Sequence, residues 1–349
     1  MGAYNGERFL RLAIESILNQ TLRDFELIVI DDCSTDSTPR ILREIEDDRM
    51  RVVRNERNLG ISETLNNGIA VSRGECVALQ DHDDVSLPTR LEYQVAFLDK
   101  HAQVGMVGSS CSVIDEAGTP VAHWPVESDD VKLRWALLWR NPFFHTTLMV
   151  RRRAIEEVGG YSSDPQYRFA EDYDLMSRVA FRYAVANISQ PLVSYRMHTT
   201  SASQLNVSQQ LASVANISFR NVLTLLERSG EKMPSDRATY FYEGMRSFIF
   251  PKPAENGRTS PIQIRFGLKY LRRLEYAFYG TNPCLPEVAD YRRMQQWIWG
   301  KHAIGLSARE HWGIESRLAL LFAGIKLLFC SRNPVSGWGA SIRAWSAAN

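Results

Sequence analysis

The sequence lacks the motifs with which many α/β enzymes bind phosphates. It has no G-x-G-x-x-G after a predicted strand and no Walker A sequence, which excludes the usual dinucleotide and P-loop cradles. Its five cysteines are odd in number and show no C-x-x-C spacing, which argues against a zinc site or disulfide framework. Such cysteine usage indicates a reducing cytoplasm. Phosphates would therefore have to be held mainly by a metal ion.

The chain also lacks a strong charge of either sign. The net charge is +1, so there is no basic field of the kind that attracts nucleic acid. Hydrophobic residues make up 44% and charged residues 23% of the 349 residues, which is typical of globular proteins. This length predicts one large domain or two of ordinary size.

Strand-like and helix-like patterns alternate from Glu7 onward. Short apolar runs predict strands at 25–30, 51–53, 76–79 and 104–108, and helical spacing or capping signals predict helices that include 39–45 and 88–98. Strands that are apolar along their whole length are covered on both faces. The pattern therefore predicts an α/β fold with a mostly parallel, Rossmann-like sheet and helices on both faces.

Acids follow two of these strands. Asp31-Asp32 follows the first, and Gln80-Asp81-His82-Asp83-Asp84 follows the run 76–79. On an extended backbone Asp81 and Asp83 point the same way, and paired carboxylates repel unless a cation joins them. Oxygen ligands suit Mg²⁺ or Mn²⁺, which usually bridge to substrate phosphates. The other interpretation of these acids alone is a solvated acidic turn.

Two further groups of residues lie beyond the sheet pattern. Glu171-Asp172 begins a predicted helix, where the helix dipole favours acids and where a carboxylate could also serve as a general base. Tyr195-Arg196-Met197-His198 follows, and its histidine could be a hydrogen-bonded surface residue or could complete a metal shell. Arg196 could then lie close to phosphates.

The order of these motifs resembles the family 2 glycosyltransferases of the GT-A fold (nucleotide-diphospho-sugar transferases). The resemblance covers about residues 1–204 and is carried by Tyr4-Asn5-Gly6, Asp31-Asp32-x-Ser34-x-Asp36, Asn58-Leu59-Gly60, Arg73-Gly74-Glu75, Asp81-x-Asp83-Asp84, Pro88-x-Arg90-Leu91, Glu171-Asp172 and Tyr195-Arg196-x-His198. Each motif alone is weak, but eight of them in order are specific.

The resemblance implies a role for each group. Asp172 would be the catalytic base, flanked by Glu171, and Asp83 and His198 would hold Mg²⁺ or Mn²⁺. Asp81 and Asp84 would contact the ribose or support the metal site. The nucleotide-sugar would also meet Gly2, Tyr4, Asn5, Asp32 and Arg196. The stretch 133–153 would lie on the acceptor side, where Asn141 and His145 could bind hydroxyls and Trp139 could stack on a sugar or belong to the core.

The implied reaction is an inverting transfer from a nucleotide-diphosphate sugar to a hydroxyl of a saccharide or lipid-linked acceptor. UDP-sugars are the first expectation for the donor and dTDP-sugars the second, in the assembly of bacterial surface polysaccharide. Two other functions remain open: a sugar nucleotidyltransferase and a non-catalytic module that binds sugar nucleotides or glycans. The absence of a Gly-rich, basic phosphate loop at Tyr4–Glu7 disfavours the first alternative, and Asp83, Asp172 and His198 disfavour the second.

The two ends of the chain carry separate expectations. The family pattern begins at about Met1, so most of its first strand is expected to be missing. We predict a catalytic domain at 1–204 and a mainly helical extension at 205–349. The apolar segment 316–329 is too short to span a bilayer. It could lie in a membrane interface, which would make the protein peripheral on the inner face of the plasma membrane, or it could pack on the catalytic domain.

Overall fold

The computed structural model describes residues 1–230, 274 and 277–279, except for the side chains of Ala202 and Ser203. The chain divides into two compact units, Met1–Asn221 and Val222–Asn349. Every site residue considered below lies in the first unit. The division of domains after residue 204 stays a prediction, and the apolar segment 316–329 lies outside the described residues.

A three-stranded parallel sheet forms the beginning of the first unit. Its strands are β1 (Gly2–Ala3), β2 (Leu27–Asp31) and β3 (Met50–Arg54), in the order β1-β2-β3. The intervening helices are α1 (Leu10–Leu18), α2 (Thr38–Glu44) and α3 (Ile61–Val71). Every residue of β2 is buried, and α1 buries Leu10, Ala13, Ile14 and Ile17, the spacing of one helical face.

A six-stranded mixed sheet follows. It consists of β4 (Cys76–Ala78), β5 (Val85–Ser86), β6 (Val104–Ile114), β7 (Pro120–Trp124), β8 (Met149–Arg151) and β9 (Ala184–Arg196). The order is β4-β8-β6-β9-β5, with β7 paired to β6. Only the pair β6–β9 is parallel in this sheet; the others are antiparallel.

Helices connect and cover this second sheet. They are α4 (Arg90–Lys100), α5 (Asp130–Ala136), α6 (Arg152–Val158), α7 (Glu171–Ala180), α8 (Ala202–Leu205) and α9 (Val207–Arg228), with short 3-10 helices at His145–Thr147 and Pro165–Tyr167. The largest apolar cluster includes Met106 and Val150 of the sheet, Ile155 of α6, Met176 of α7 and Ile217 of α9. This core fixes the start of α7, where two of the predicted site residues lie.

The alternation of strands and helices predicted the strands at 25–30, 51–53, 76–79 and 104–108, all of which the structure contains. It did not predict β5, β7, β8 or β9, and the first three of these are two to five residues long and lack a distinctive apolar run. The predicted mostly parallel arrangement holds for the first sheet but not for the six-stranded sheet, because these additional strands pair mainly antiparallel. Where the predicted helical extension begins, the structure contains α8 and α9, which are separated at Asn206.

Within residues 1–230 and the few described positions beyond them, none of the helices is both long enough and apolar enough to cross a bilayer.

Candidate active site

The predicted acidic sequence forms a loop, Asp81–Asp84, between β4 and β5, and a buried arginine holds it. Arg90, at the start of α4, is fully buried. Its guanidinium donates to the side chains of Gln80 (2.8 Å), Ser86 (2.9 Å) and Gln94 (3.1 Å) and to the carbonyls of Leu79 (2.6 Å) and Leu148 (3.1 Å). Burial lowers the pKa of Arg90 to about 10 despite the neighbouring acids. The side chain thus joins both ends of the loop to β8.

A second arginine holds the same loop from β9. The backbone N–H of Arg196 donates to Asp84 Oδ1 at 2.7 Å, and its Nε donates to the carbonyl of Asp83 at 2.9 Å. Its Nη1 donates to the carbonyls of Asp115 and Glu116, and the guanidinium lies 4.6 Å from the ring centroid of Phe9. The side chain is therefore engaged with the protein, and this geometry favours a supporting position over the predicted phosphate contact.

Asp84 is a buried acid with an unpartnered oxygen. Its side chain lies at 1% exposure, and Oδ2 accepts no hydrogen bond. Burial, followed by the charges of Asp83 and Asp81, raises the pKa of Asp84 well above its ordinary value. Of the two predicted positions for Asp84, at the ribose or in support of the metal site, the burial favours support.

Asp83 and His198 form the pair that could hold a metal ion. Asp83 Oδ2 lies 2.9 Å from His198 Nε2, and Thr200 Oγ1 lies 2.9 Å from the other ring nitrogen. Adjacent ligands of an octahedral Mg²⁺ are separated by about 3 Å, given bonds of about 2.1 Å. The described residues contain no group of three or more His, Cys, Asp or Glu arranged as a metal site. One carboxylate and one imidazole still fit an ion that takes its other ligands from a diphosphate and water.

His145 connects the acidic loop to a tyrosine. Its Nδ1 lies 2.9 Å from Asp81 Oδ1, and its Nε2 lies 2.9 Å from the hydroxyl of Tyr161. Burial alone would lower the pKa of His145, but the charge and hydrogen bond of Asp81, followed by the charges of Asp172 and Glu171, raise it to about 9. Burial would raise the pKa of Asp81, but the charge and hydrogen bond of His145, together with the charges of His82 and the N-terminal amine, lower it. The ring therefore carries a positive charge at neutral pH.

The second pair of acids begins α7. Asp172 Oδ2 accepts a hydrogen bond of 2.9 Å from Asn141 Nδ2, whereas Glu171 Oε2 is buried without a partner. Burial raises the pKa of Asp172, partly offset by His145. Burial and the charge of Asp172 raise the pKa of Glu171 to about 7. Two carboxyl groups thus lie side by side in surroundings that favour their protonated forms.

The predicted nucleotide side is centred on Asp32 at the end of β2. Its carboxylate accepts hydrogen bonds from Asn55 Nδ2 (2.8 Å) and from the backbone N–H groups of Leu59 and Gly60 (both 2.9 Å). Asn5, with φ of +50°, uses its side-chain oxygen to accept from Thr35 N. Beside them, Tyr4 is 45% exposed, and a Cβ on Gly2 would lie 3.3 Å from Thr64.

The three residues predicted on the acceptor side have different positions. Asn141 contacts Asp172, and His145 contacts Asp81, so both belong to the acid centre. Trp139 is 4% exposed and packs edge-to-face on Trp135, at 6.0 Å between ring centroids. This burial favours the core interpretation of Trp139, and its predicted contact with an acceptor stays a prediction.

Two contributors were missing from the sequence prediction. Tyr161 and Asn66 lie outside the quoted motifs, and nothing in the residues around them indicates a site. Arg90 was recognised as part of a motif, but a sequence motif does not show that its arginine is buried. Only the packing of β4, β8 and α6 together brings these side chains to the acidic loop.

Comparison with known proteins gives consistent results. The family model described as "Glycosyl transferase family 2" matches residues 1–159. The chain is 39% identical over 181 residues to the putative glycosyltransferase EpsE of Bacillus subtilis. The match covers 51% of this chain and 64% of EpsE, so it spans less than two thirds of that protein. It is 31% identical over 218 residues to the O-antigen biosynthesis glycosyltransferase WbnJ of Escherichia coli, covering 58% of this chain and 80% of WbnJ.

A solved structure supports the fold. The structure of S. aureus TarS 1–349 in complex with UDP-GlcNAc matches with a TM-score of 0.54 and covers 95% of this chain and 90% of that one. At 15% identity the match bears on the fold alone. Together with the family model, it confirms the predicted GT-A α/β fold.

Replacement of Arg90 by lysine tests how the acidic loop is held. A lysine cannot reproduce the fork of guanidinium donors, so the carbonyls of Leu79 and Leu148 would lose their buried donor. We expect Arg90→Lys to lower the free energy of unfolding by about 2–4 kcal/mol, measured by urea denaturation. Arg40→Lys, at an exposed ion pair with Glu44, serves as the control and should change it by less than about 0.5 kcal/mol. Equal denaturation midpoints for Arg90→Lys and the wild-type protein would show that Arg90 does not hold the loop.

Proposed function

The chain belongs to glycosyl transferase family 2, and on that premise we propose that it moves a sugar from a nucleotide-diphosphate donor to an acceptor hydroxyl. The observation that carries this proposal is the meeting of two acidic groups at one histidine. His145 is hydrogen-bonded to Asp81 of the loop, and the charges of Asp172 and Glu171 act on the same ring. A donor site and a base could therefore act on the same bond.

In the proposed reaction Asp172 is the general base. It takes the proton of the acceptor hydroxyl while the oxygen forms a bond to the anomeric carbon of the donor sugar. The bond between that carbon and the diphosphate oxygen breaks, and its electron pair leaves with the diphosphate. Attack opposite to the leaving group inverts the anomeric configuration, and no covalent sugar–enzyme intermediate forms. Burial raises the pKa of Asp172, and a higher pKa makes a carboxylate a stronger base.

The leaving diphosphate needs its developing charge neutralised. Asp83 and His198 would hold Mg²⁺ or Mn²⁺ there, and such an ion supplies that neutralisation. The other cations near the loop, Arg90 and Arg196, are engaged by protein groups. We propose that they hold the loop in place and do not bind phosphate.

The donor and acceptor are proposed from the relatives. TarS was solved with UDP-GlcNAc, and this supports a UDP-sugar as the first donor to test. WbnJ is described as an enzyme of O-antigen biosynthesis and AmsE of Erwinia amylovora as one of amylovoran biosynthesis. These names support a saccharide acceptor in polysaccharide synthesis. We further propose that the acceptor is at the cell-surface stage of that synthesis and can be lipid-linked, with the enzyme in the cytoplasm or on the inner face of the plasma membrane.

Removal of the proposed base should separate chemistry from binding. Asp172→Asn keeps the size of the side chain and its contact with Asn141, but it cannot accept the proton. We expect transfer to fall by at least about 10³-fold while donor affinity, measured by calorimetry, is unchanged. Asp99→Asn, at an exposed position on α4, is the matched control and should behave as the wild-type protein. If Asp172→Asn lost donor binding, or kept its transfer rate, the base assignment would be wrong.

A panel of donors should identify the nucleotide and the dependence on metal. We expect one class among UDP-, dTDP- and GDP-sugars to raise the melting temperature with Mn²⁺ but not with EDTA, because bound ligand stabilises the folded state by about 2.7 kcal/mol at 100 times its dissociation constant. Asp83→Ala should abolish the shift, and Asp48→Ala, at an exposed position, should retain it. A shift of equal size in EDTA would contradict the proposed metal dependence, and a shift without any donor hydrolysis would favour a binding module.

A further inference from the structure

A buried tyrosine connects the acid centre to α3. Tyr161 is 2% exposed, and its hydroxyl lies 2.9 Å from His145 Nε2. The side chain of Asn66, on α3, holds the tyrosine backbone at both polar groups: its Nδ2 donates to the carbonyl at 2.8 Å, and its Oδ1 accepts from the N–H at 2.8 Å. Tyr161 is thus fixed through both its main chain and its side chain.

We propose that Asn66, Tyr161 and His145 form a positioning chain that fixes the orientation of the Asp81 carboxylate in the donor site. This role rests on the proposed function. The chain assigns His145 to the donor side of the reaction and makes Tyr161 and Asn66 contributors to it. None of the three residues is required to touch a reacting atom.

The geometry of the imidazole supports this role. A rigid ring carries its two nitrogens at fixed directions, so the contact of Nε2 with Tyr161 sets where Nδ1 meets Asp81. The charged ring donates at both nitrogens. A raised pKa of about 9 keeps His145 in that state at neutral pH. The rings of His145 and Tyr161 also meet edge-on, with centroids 6.0 Å apart.

The carboxylate of Asp81 requires such a contact. It is 32% exposed at its side chain and lies in the same loop as the acids Asp83 and Asp84, which repel it. Within the part of the chain that the structure describes, the Asp81 carboxylate has a side-chain hydrogen bond to His145 and to no other group. Without the imidazole, the carboxylate would be free to rotate about its side-chain torsions. Errors of about 1 Å in a positioned group can cost about a hundredfold in rate.

The close approach of the backbone before Tyr161 to Asn66 on α3 explains why two glycines precede the tyrosine. Gly160 precedes Tyr161 and has φ of +71°, and a Cβ at this position would lie 2.6 Å from Asn66 Oδ1. A side chain there would both strain the backbone and displace the asparagine. The preceding Gly159, with φ of +82°, ends α6. The Gly159-Gly160 pair therefore allows Asn66 to reach the tyrosine backbone.

The neighbouring residue on α3 extends the connection toward the nucleotide side. Asn67 Nδ2 donates to Asn55 Oδ1 at 3.2 Å, and Asn55 in turn donates to Asp32. Consecutive residues of one helix thus hold the Asp32 group and the Tyr161 group. Through α3, Asp32 on the proposed nucleotide side and Asp81 in the proposed donor site share one support.

Two substitutions at His145 and one at Tyr161 test the chain. The amide nitrogen of an asparagine overlies Nδ1 of a histidine, and that of a glutamine overlies Nε2. His145→Asn therefore keeps the contact with Asp81, whereas His145→Gln keeps only the contact with Tyr161. Tyr161→Phe removes the hydroxyl alone. Tyr183→Phe is the matched control, because it also removes one tyrosine hydroxyl. Tyr183 lies just before β9, the strand whose far end holds the acidic loop, but its hydroxyl bonds Glu157 and not His145.

The first measurement is donor hydrolysis without acceptor, using the sugar nucleotide and metal that stabilise the wild-type protein most in the panel above. We expect Tyr161→Phe and His145→Gln to raise the donor KM and lower kcat/KM by about tenfold or more. We expect His145→Asn, which keeps the contact with Asp81 but loses the anchor at Tyr161, to lose about as much as Tyr161→Phe, and Tyr183→Phe to match the wild-type protein. Full activity of His145→Asn would show that the anchor at Tyr161 is not needed, and a purely structural role would lower the melting temperature of Tyr161→Phe without raising the donor KM.

The second measurement needs no donor. Long-range ¹H–¹⁵N spectra of the imidazoles, with His145 assigned from its absence in His145→Asn, should show its Nε2 signal shifted in Tyr161→Phe and unchanged in Tyr183→Phe. Unmoved His145 signals in Tyr161→Phe would overturn the chain. Unchanged donor hydrolysis in a folded Tyr161→Phe would also overturn the proposal. A loss of transfer with normal donor hydrolysis would contradict the donor role and assign His145 to the acceptor side. If the wild-type protein neither transfers nor hydrolyses any donor, the proposed function is wrong and the donor role of His145 is wrong with it. The imidazole signals would still report whether His145 contacts Tyr161.

Discussion

The active site depends on holding like charges together. Asp81, Asp83 and Asp84 lie within one short loop, and Glu171 and Asp172 lie near the same histidine. Such a cluster would force itself apart or take up protons unless cations and hydrogen-bond donors opposed the repulsion. The structure provides them in the buried Arg90 below the loop, in Arg196 beside it and in His145 between the two acidic groups. Burial of the arginines is costly, and their many backbone and side-chain acceptors offset that cost.

The same constraint separates the acids by role. Asp84 is buried and bound to the backbone of Arg196, so it serves the loop itself. Asp81 and Asp83 each contact one imidazole at a side chain that retains some exposure. The side-chain amide of Asn141 donates to Asp172. Acids that look uniform in the sequence thus have different neighbours, which is the basis for proposing one as support, others as donor contacts and Asp172 as the base.

The α/β class and the strands at 25–30, 51–53, 76–79 and 104–108 followed from the sequence because apolar runs are local signals. The pairing of the strands did not, since β2 and β4, which the two acidic groups follow, belong to different sheets, and the six-stranded sheet is mostly antiparallel. The surroundings of these acids could not be predicted in the same way. Tyr161 reaches His145 across 16 residues, and Arg90 reaches Leu148 across 58, so their contacts depend on how β4, β8 and α6 pack. The same applies to Trp139, since an aromatic residue at helical spacing suits a sugar platform and a core equally, and only its burial decides.

The stereochemistry of transfer is the most direct test of the proposed single-displacement reaction with Asp172 as base. Proton NMR of the glycoside formed gives the configuration at the anomeric carbon, which the new glycosidic bond locks. With the donor that the panel selects, we predict that a sugar bound as the α-anomer in the nucleotide appears as the β-anomer in the product. Retention of the α-configuration would require a second displacement or a different nucleophile and would contradict the role given to Asp172.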